Sequence, residues 1–376
     1  MDISDINPGK IERRKERIRR TWEYRKVDHI PIGFFLDDWH PYALKELCQD
    51  GMLQYKINVR NINRLLELLP DDYIPAARVW PGYMTIATMF GAEVYWSDDP
   101  DQAPGIKEHI IKNMTEVYNL TMPDPKRDGL MPFNLRWVSY FTQNLPDVVS
   151  LTGVDLGGPL NSAKDLLDTN LLYTGFYDNP DEYHYFLRLM VEVQIRCYEE
   201  IINTAGNIDR LTCIDFDPVW APENRKGFVS DDVCATISPE IFKEFSIPYN
   251  NEIFKRWRGG RIHNCGPHPS IHIYLNHNPE INGLNCSYRY TCKDISRIKE
   301  TFRGRGIVEF MFDNAETPEE IVAGFENIAQ SLAPDVVGIP VLWFDSSWKD
   351  SDIKDLYFSL RKISGEYATS MRWKEE

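Results

Sequence analysis

Short apolar segments rich in β-branched and aromatic residues alternate along this chain with longer segments whose apolar residues have helical spacing. The short segments are typical of strands buried on both faces. The predicted strands are residues 30–36, 150–156, 210–216, 260–264, 281–286, 307–312 and 338–344. The predicted helices are residues 182–203, 238–258, 293–302, 318–332 and 351–363.

This order of elements predicts a parallel sheet with helices packed on its faces. No glycine-rich phosphate-binding loop follows an early strand, which argues against an open nucleotide-binding sheet. We therefore expect an α/β fold, a single (β/α)8 TIM barrel over residues 29–376, preceded by an N-terminal helical extension over residues 1–28. Residues 70–135 are rich in Pro, Gly and Asp and are expected to form an elaborated early connection with short hairpin pieces.

The N-terminal segment carries a concentrated positive charge, with seven basic residues between positions 10 and 20. Ile11, Ile18 and Trp22 recur in it at helical spacing. Because acidic residues are interspersed, the segment differs from a targeting peptide. We expect a basic amphipathic helix docked on an acidic body, and the alternative is an arm that binds nucleic acid or a membrane.

Composition narrows the class of protein. The chain has 376 residues, of which 42 are Lys or Arg and 57 are Asp or Glu, and its net charge is −15. Such a charge disfavours a nucleic-acid binder. Seven scattered cysteines and no signal peptide indicate free thiols in the cytoplasm. No apolar run approaches the roughly 20 residues that span a bilayer, so we expect a cytoplasmic protein with a small-molecule substrate.

Polar and aromatic side chains follow the ends of several predicted strands, where the active site of such a barrel forms. The residues expected to bind substrate are Asp37, Trp39, His40, Asp155 and Trp220, and those expected to act as acid and base are Asp217 and Asp231. The alternatives are that the aspartates cap the following helices and that the tryptophans belong to the core.

The segment His263-Asn-Cys265 places an imidazole and a thiol two positions apart at the end of a predicted strand. Alternate residues of a strand share a face, so both side chains can bind one metal ion. The alternative is a buried His and Cys in a turn. Cys286 ends the next predicted strand, which would bring it to the same mouth. One His and two Cys would leave the fourth position of a zinc ion open for a substrate thiol.

The segment 230–249, SDDVCATISPEIFKEFSIPY, followed by RIHNCG at 261–266, resembles the uroporphyrinogen decarboxylase superfamily. The segments GGPL at 157–160 and PIG at 31–33 fit the same pattern. In the order of elements the resemblance covers residues 10–365. It implies a single (β/α)8 barrel whose pocket lies at the carboxyl ends of the strands.

The superfamily includes two kinds of enzyme. Its decarboxylases bind porphyrinogen carboxylates through an early segment of the form R-Q-A-G-R, where this chain has DDWHPY at 37–42, whose acids would repel an eight-carboxylate substrate. Its methyltransferases use zinc held by H-x-C and a later Cys. The resemblance therefore implies methyl transfer between a small methylated compound or methyl-corrinoid protein and a thiol or corrinoid, with zinc in the site and a corrinoid carried by a partner protein.

The chain departs from the methyltransferase pattern near the last strand, where it has IPVLWFDSS at 339–347 and no thiol. Cys286 falls instead where related cobalamin-independent methionine synthases place a zinc-binding Glu, and Asp345 or a substrate thiol would be the fourth ligand. One alternative function is a metal-free decarboxylase with Arg78 facing the substrate carboxylate, and another is a binding module for a corrinoid protein. Superfamily analogy implies a homodimer.

Overall fold

The computed structural model describes residues 3–313 and 316–375 and consists of parallel strands surrounded by helices. The strands are β1 (Gly33–Leu36), β2 (Ala76–Ala77), β3 (Val94–Tyr95), β4 (Gly105–Ile106), β5 (Ser150–Leu151), β6 (Gly227–Ser230), β7 (Gly260–His263), β8 (Ile281–Ser287), β9 (Ile307–Phe312) and β10 (Val337–Phe344).

Helices cover the sheet and make up most of the remaining regular structure. They are α1 (Pro8–Trp22), α2 (Leu44–Gln49), α3 (Gly51–Leu68), α4 (Thr85–Met89), α5 (Met131–Asn144), α6 (Pro159–Leu166), α7 (Thr169–Asp178), α8 (Pro180–Ala205), α9 (Pro239–Phe245), α10 (Ile247–Arg256), α11 (Tyr274–His277), α12 (Tyr288–Thr291), α13 (Ile295–Phe302), α14 (Pro318–Leu332) and α15 (Asp350–Ser370).

Six strands form one parallel sheet in the order β1-β10-β9-β8-β7-β6, and β2 pairs with β5 in parallel. A parallel bridge joins Leu151 to Leu211, and the N–H of Ile214 donates to the carbonyl of Lys226 at 2.9 Å. The segment 211–214 therefore connects the β2-β5 pair with β6. The result is a curled parallel α/β sheet compatible with a TIM-like barrel, whereas closure into eight strands stays a prediction.

Three predicted elements differ from those observed. Residues 150–156 form a strand only at Ser150–Leu151. Residues 210–216 contribute a bridge instead of a strand, because the chain turns back and the N–H of Ala221 donates to the carbonyl of Thr212 at 2.9 Å. The predicted helix 238–258 is divided into α9 and α10 at Ser246. Pro248 lies just after this break and lacks the N–H that a continuous helix needs.

Helix α1 packs on the body of the protein. Ile11, Ile18 and Trp22 are buried, and the side chain of Asn7 caps the first turn by accepting from the N–H of Gly9 at 2.9 Å. Its basic residues form ion pairs with the body, such as those from Arg17 to Asp71 at 3.4 Å and from Arg19 to Glu223 at 2.6 Å. Part of the positive charge of α1 is therefore compensated within the chain.

The early connection between β2 and β5 contains helix α4 and the antiparallel hairpin β3-β4, in which Val94 lies opposite Ile106. Trp80, Tyr83 and Ala103 of this connection line the main cavity. The connection therefore forms one wall of the candidate site.

All seven cysteines are free. Within residues 3–313 and 316–375, every helix is too short or too polar to cross a membrane.

Candidate functional site

A cavity of about 540 Å³ opens near the carboxyl ends of the strands. Trp39, Trp80, Tyr83 and Trp343 provide aromatic walls, and His263 provides an imidazole at the end of β7. The cavity volume is in the range of small-molecule sites. Its lining combines apolar surface with a few charged groups, which is typical of such sites.

Three side chains of different chemistry meet in this cavity, namely Asp232, His263 and Cys265, which we call the ligand cluster. Nε2 of His263 lies 3.5 Å from Sγ of Cys265 and 3.5 Å from Oδ1 of Asp232. One potential ligand atom from each residue lies within 4.8 Å of the others. An imidazole nitrogen, a thiol sulfur and a carboxylate oxygen are the ligand types that zinc accepts, so the donor set fits this metal.

The backbone positions this cluster through strand pairing. Ser230 is in register with His263, and side chains two positions apart on an extended chain share a face, so Asp232 continues on the His263 side. The N–H of Asp231 donates to the carbonyl of His263 at 2.8 Å, and the N–H of Cys265 donates to the carboxylate of Asp232 at 3.0 Å. The two strand ends are therefore held together at the ligand cluster.

The charges of the ligand cluster stabilise one another. Burial alone would lower the pKa of His263, but Asp232 and then Cys265 raise that pKa to about 10 in the metal-free protein. Burial alone would raise the pKa of Asp232, but His263 and the N–H of Cys265 lower it. The metal-free cluster therefore holds an imidazolium beside a carboxylate.

Asn285 lies directly beneath His263, to which it is in register on β8. Its Oδ1 is 2.7 Å from Nδ1 of His263. Its Nδ2 donates to Oδ2 of Asp217 at 2.8 Å and to Oε2 of Glu309 at 2.9 Å. Asn285 therefore links the ligand cluster to buried carboxylates.

Those carboxylates share one cation, Arg261, and we call Asp217, Arg261 and Glu309 the buried charge cluster. Nη1 of Arg261 donates to the two carboxylate oxygens of Glu309 at 2.6 and 2.8 Å and lies 3.2 Å from Oδ2 of Asp217. All three residues are at most 1% exposed. Burial raises the pKa of Glu309, and the guanidinium of Arg261 opposes that rise.

Cys286, the expected third metal ligand, lies outside the ligand cluster. Because Asn285 faces His263, the following residue points to the opposite side of β8. Sγ of Cys286 is 3.6 Å from the carbonyl of Glu309, and the side chain is fully buried, which raises its pKa. Asp232 is the third member of the ligand cluster, where the sequence predicted Cys286.

The residues expected to bind substrate fall into two groups. Asp37, Trp39 and Asp155 line the cavity. His40 stacks on Trp39 at 5.8 Å between ring centroids, and its side chain is half exposed beyond the lining. Trp220 is buried elsewhere, beneath α1.

The two residues expected to act as acid and base do not line the cavity. Asp217 belongs to the buried charge cluster. Asp231 points away from His263 towards α10, where it accepts from Ser246 and from Asn250, the latter at 2.7 Å. Burial raises the pKa of Asp231 to about 6. Asp155 is the expected site residue that combines a place in the cavity with a pKa raised to about 6 by burial.

The other end of the cavity is organised around Arg78. Its guanidinium lies over the rings of Phe35, Trp80 and Trp343 at 4.9, 5.1 and 5.6 Å. Nη2 donates to both carboxylate oxygens of Asp37 at 2.8 and 2.9 Å. This arrangement holds a cation rigidly at the cavity wall.

Sequence reasoning assigned no role to Asp232 or Asn285. Asp232 follows Asp231 in the chain, but β6 was not predicted, so the face to which each aspartate points was undetermined. Asn285 precedes Cys286 and carried no motif. The residue type gave no signal for Asn285, and its role is visible only from its contacts.

A second group of potential ligand atoms among the described residues consists of Asp28, His29 and Asp71. Its carboxylates already face cations, because Arg17 lies 3.0 Å from Asp28 and 3.4 Å from Asp71. Arg361 lies 3.3 Å from Asp28 and 3.8 Å from Asp71. This group is an ion-pair network at the base of α1.

Comparisons with known proteins agree with this architecture. The sequence profile of the family described as uroporphyrinogen decarboxylase (URO-D) matches residues 13–221, more than half of the chain, and ends before His263 and Cys265. No curated protein sequence matches the chain.

Solved structures resemble the chain over most of its length. A methyltransferase from Methanosarcina mazei has a TM-score of 0.68 and 15% identity, over 93% of this chain and 98% of that one. A B12-independent methionine synthase from Shewanella sp. W3-18-1, in complex with selenomethionine, has a TM-score of 0.46 and 11% identity, over 91% and 94% of the two chains. At 15% identity the likeness to the Methanosarcina protein concerns the fold.

Proposed function

This chain belongs to the uroporphyrinogen decarboxylase family, and we propose that it is a zinc-assisted methyltransferase. It would move a methyl group between a small methylated compound or methyl-corrinoid protein and a thiol or corrinoid. The observation that carries this proposal is the ligand cluster, in which Asp232, His263 and Cys265 converge at the cavity. The fold shared with a methyltransferase from Methanosarcina mazei supports it.

The residues present fit a zinc ion. Asp232, His263 and Cys265 would hold the ion through oxygen, nitrogen and sulfur and leave a fourth position for a substrate sulfur. When bound, zinc lowers the pKa of a substrate thiol and so favours the nucleophilic thiolate. Asn285 would hold the imidazole from behind, as an outer partner of the ligand.

The methyl transfer requires one bond to form and one to break. The thiol sulfur forms the bond to the methyl carbon, and the leaving group keeps the electron pair of the broken bond. The thiol proton passes to a base, for which Asp155 is suited because it lines the cavity with a pKa of about 6. The rings of Trp39 and Tyr83 would exclude water and hold the apolar part of the substrate.

We include a corrinoid protein as partner and a homodimer as the assembly in the same proposal. Both follow from the superfamily resemblance. A corrinoid protein would present its methyl group at the open mouth of the cavity.

Zinc content and methyl transfer test the proposal together. We expect the purified protein to bind one zinc ion per chain by metal analysis and to transfer the methyl group of methylcobalamin to simple alkanethiols. Cys265→Ser should lose both properties. Cys286→Ser is the matched control, because its thiol points away from His263, and it should keep them. A wild-type protein that holds no zinc after dialysis against the metal would contradict the proposal.

A second candidate function is a metal-free decarboxylase, which the placement of Arg78 favours. The guanidinium and Asp155 both line the cavity. Burial raises the pKa of Asp155 to about 6, so this carboxyl group keeps a proton below that pH. Asp155 would then protonate the carbanion left when carbon dioxide departs. The two acids expected to repel a carboxylate are both paired, Asp37 with Arg78 at 2.8 Å and Asp38 with Arg60 at 3.5 Å.

Release of labelled carbon dioxide separates the two functions. Protein stripped of metal is incubated with carboxyl-labelled small acids, and the decarboxylase predicts release that Arg78→Met abolishes and Cys265→Ser leaves intact. The methyltransferase proposal predicts the opposite for this cysteine, namely that Cys265→Ser abolishes the activity.

A further inference from the structure

We propose that Asn285 is a positioning residue that keeps a proton on Nδ1 of His263 and thereby presents Nε2 to the metal, an inference that rests on the proposed zinc site. The motif His263-Asn-Cys265 does not indicate which ring nitrogen of His263 would bind the metal. The hydrogen bonds beneath the ring decide it.

The orientation of the Asn285 amide follows from its other partners. Asp217 accepts hydrogen bonds through its carboxylate oxygen, which lies 2.8 Å from the amide nitrogen of Asn285. With the amide reversed, two oxygens would face each other at this distance. The amide oxygen must therefore face His263.

The amide oxygen is an acceptor and lies 2.7 Å from Nδ1 of His263. A bond at this distance requires a hydrogen on Nδ1. In a neutral imidazole the other nitrogen then carries the lone pair, and Nε2 is the nitrogen that faces Cys265 and Asp232, both at 3.5 Å. The nitrogen available to a metal is the one that points into the ligand cluster.

The surroundings leave the ring little freedom. The ring of His263 lies 5.5 Å from that of Phe216 and 6.1 Å from that of Phe228, and the residue is only 4% exposed. Asn285 is 1% exposed, so water has little access to its bond with His263. Arg261 fixes the far end by binding both oxygens of Glu309. The buried charge cluster therefore holds Asn285, which in turn holds His263.

The first test observes the proton directly. In NMR spectra of wild-type protein labelled with 15N-histidine, we expect a slowly exchanging Nδ1–H proton on His263, both without metal and with zinc. The signal is assigned through its loss in His263→Gln. Finding Nδ1 without a proton in zinc-loaded protein would overturn the proposal. This measurement needs no variant of Asn285.

The second test compares zinc affinities measured by competition with a chelator. Asn285→Leu removes the acceptor and should weaken zinc binding by about 10- to 100-fold. Asn134→Leu is the matched control, because Asn134 is also fully buried but hydrogen-bonds to Thr85. It should lower stability and leave zinc affinity unchanged.

A conservative variant separates positioning from general stability. Asn285→Asp keeps an acceptor for His263 but sets a third carboxylate against Asp217 and Glu309, so it should be less stable than Asn285→Leu and yet bind zinc more tightly. Combining it with Asp217→Asn restores the number of carboxylates and should restore the stability. If zinc affinity instead follows stability across these variants, Asn285 is merely structural and the proposal is wrong.

The outcomes distinguish this inference from the proposed function. Absence of zinc binding by the wild type rejects the proposed function. Slow exchange of the Nδ1–H proton in metal-free protein, where the imidazolium carries that proton in any case, still decides whether Asn285 holds the ring through a hydrogen bond. Normal zinc binding by the wild type and by Asn285→Leu rejects the inference and leaves the proposed function standing.

Discussion

The ligand cluster and the buried charge cluster lie one above the other in the same α/β fold, and each combines a cation with one or two carboxylates. Nε2 of His263 lies 3.5 Å from Asp232 in the first, and Nη1 of Arg261 lies 2.6 Å from Glu309 in the second. The ligand cluster opens to the cavity and contains a thiol, whereas the buried charge cluster is sealed and contains only oxygen and guanidinium groups.

This difference shows that proximity of charged groups does not by itself make a site. Access and donor type distinguish the two clusters, because a metal ion needs lone pairs that an entering ligand can share. The guanidinium of Arg261 offers none. We therefore propose that the ligand cluster carries the chemistry and that the buried charge cluster supports its residues, and the following predictions test that division.

The largest effect is expected for Arg261→Met. Removal of the guanidinium leaves Asp217 and Glu309 buried without their cation, which should lower the free energy of unfolding by about 3–5 kcal/mol. Chemical denaturation of the metal-free protein measures this change. The combination of Arg261→Met with Glu309→Met removes one charge of each sign and should recover much of the loss. An Arg261→Met protein as stable as the wild type would contradict the assigned support.

Asp232→Asn should weaken zinc binding and should change the stability of the fold only slightly. The change removes the negative charge of a proposed ligand, and we expect zinc affinity to fall by about 100-fold, at least as much as for loss of an outer partner of a ligand. Asp231→Asn is the matched control, because that carboxylate points towards α10, and it should change zinc affinity by much less. Competition with a chromogenic chelator measures both, and equal losses would show that the third ligand is misassigned.

The stability of the metal-free protein should depend on pH through His263. Its folded-state pKa of about 10 lies above the ordinary value of 6.5. This contribution is therefore fully present below pH 6.5 and is lost as the pH rises towards 10.

The stability difference between the wild type and His263→Gln should accordingly shrink as pH rises through this window, by at most about 1.4 kcal/mol per pH unit. Urea denaturation at several pH values measures it. The difference isolates His263 from other groups that titrate in the same range. A difference that grows with pH would show that the metal-free residue is not held as a cation.

The smallest effect concerns the reactivity of the two thiols. Burial raises the pKa of Cys286 and shields it, whereas Cys265 is half-buried at the cavity. In metal-free protein we expect alkylation of Cys265 to be faster by a factor on the order of ten. Added zinc should slow Cys265 and leave Cys286 unchanged, as measured by site-resolved mass spectrometry. Equal protection of both thiols by zinc would return Cys286 to the ligand set.

Much of the fold was accessible from the sequence. The predicted strand 307–312 and helix 318–332 coincide with β9 and α14, because a continuous apolar run and a capped amphipathic pattern are local properties. The sequence did not predict the short strands β2 and β6, because two to four residues are too few to show a period. Only tertiary pairing makes them strands.

The candidate site was predicted less completely, and β7 and β8 show the physical reason. The register between these strands shifts by one residue between Gly260 and Arg261, where Gly260 has a φ of +155° and any side chain would meet the carbonyl of Gly227. With the shift, His263 pairs with Asn285. Without it His263 would pair with Leu284, and Cys286 would share its face.

The sequence by itself determined that a parallel α/β protein carries His263 and Cys265 on one face at the end of a strand, because the period of a strand is a local property. The tertiary structure alone decided that Asp232 and not Cys286 joins them and that Asn285 lies beneath the ring. The physical reason is that the face to which a neighbouring strand turns a residue depends on the register between strands, and one shifted residue reverses it.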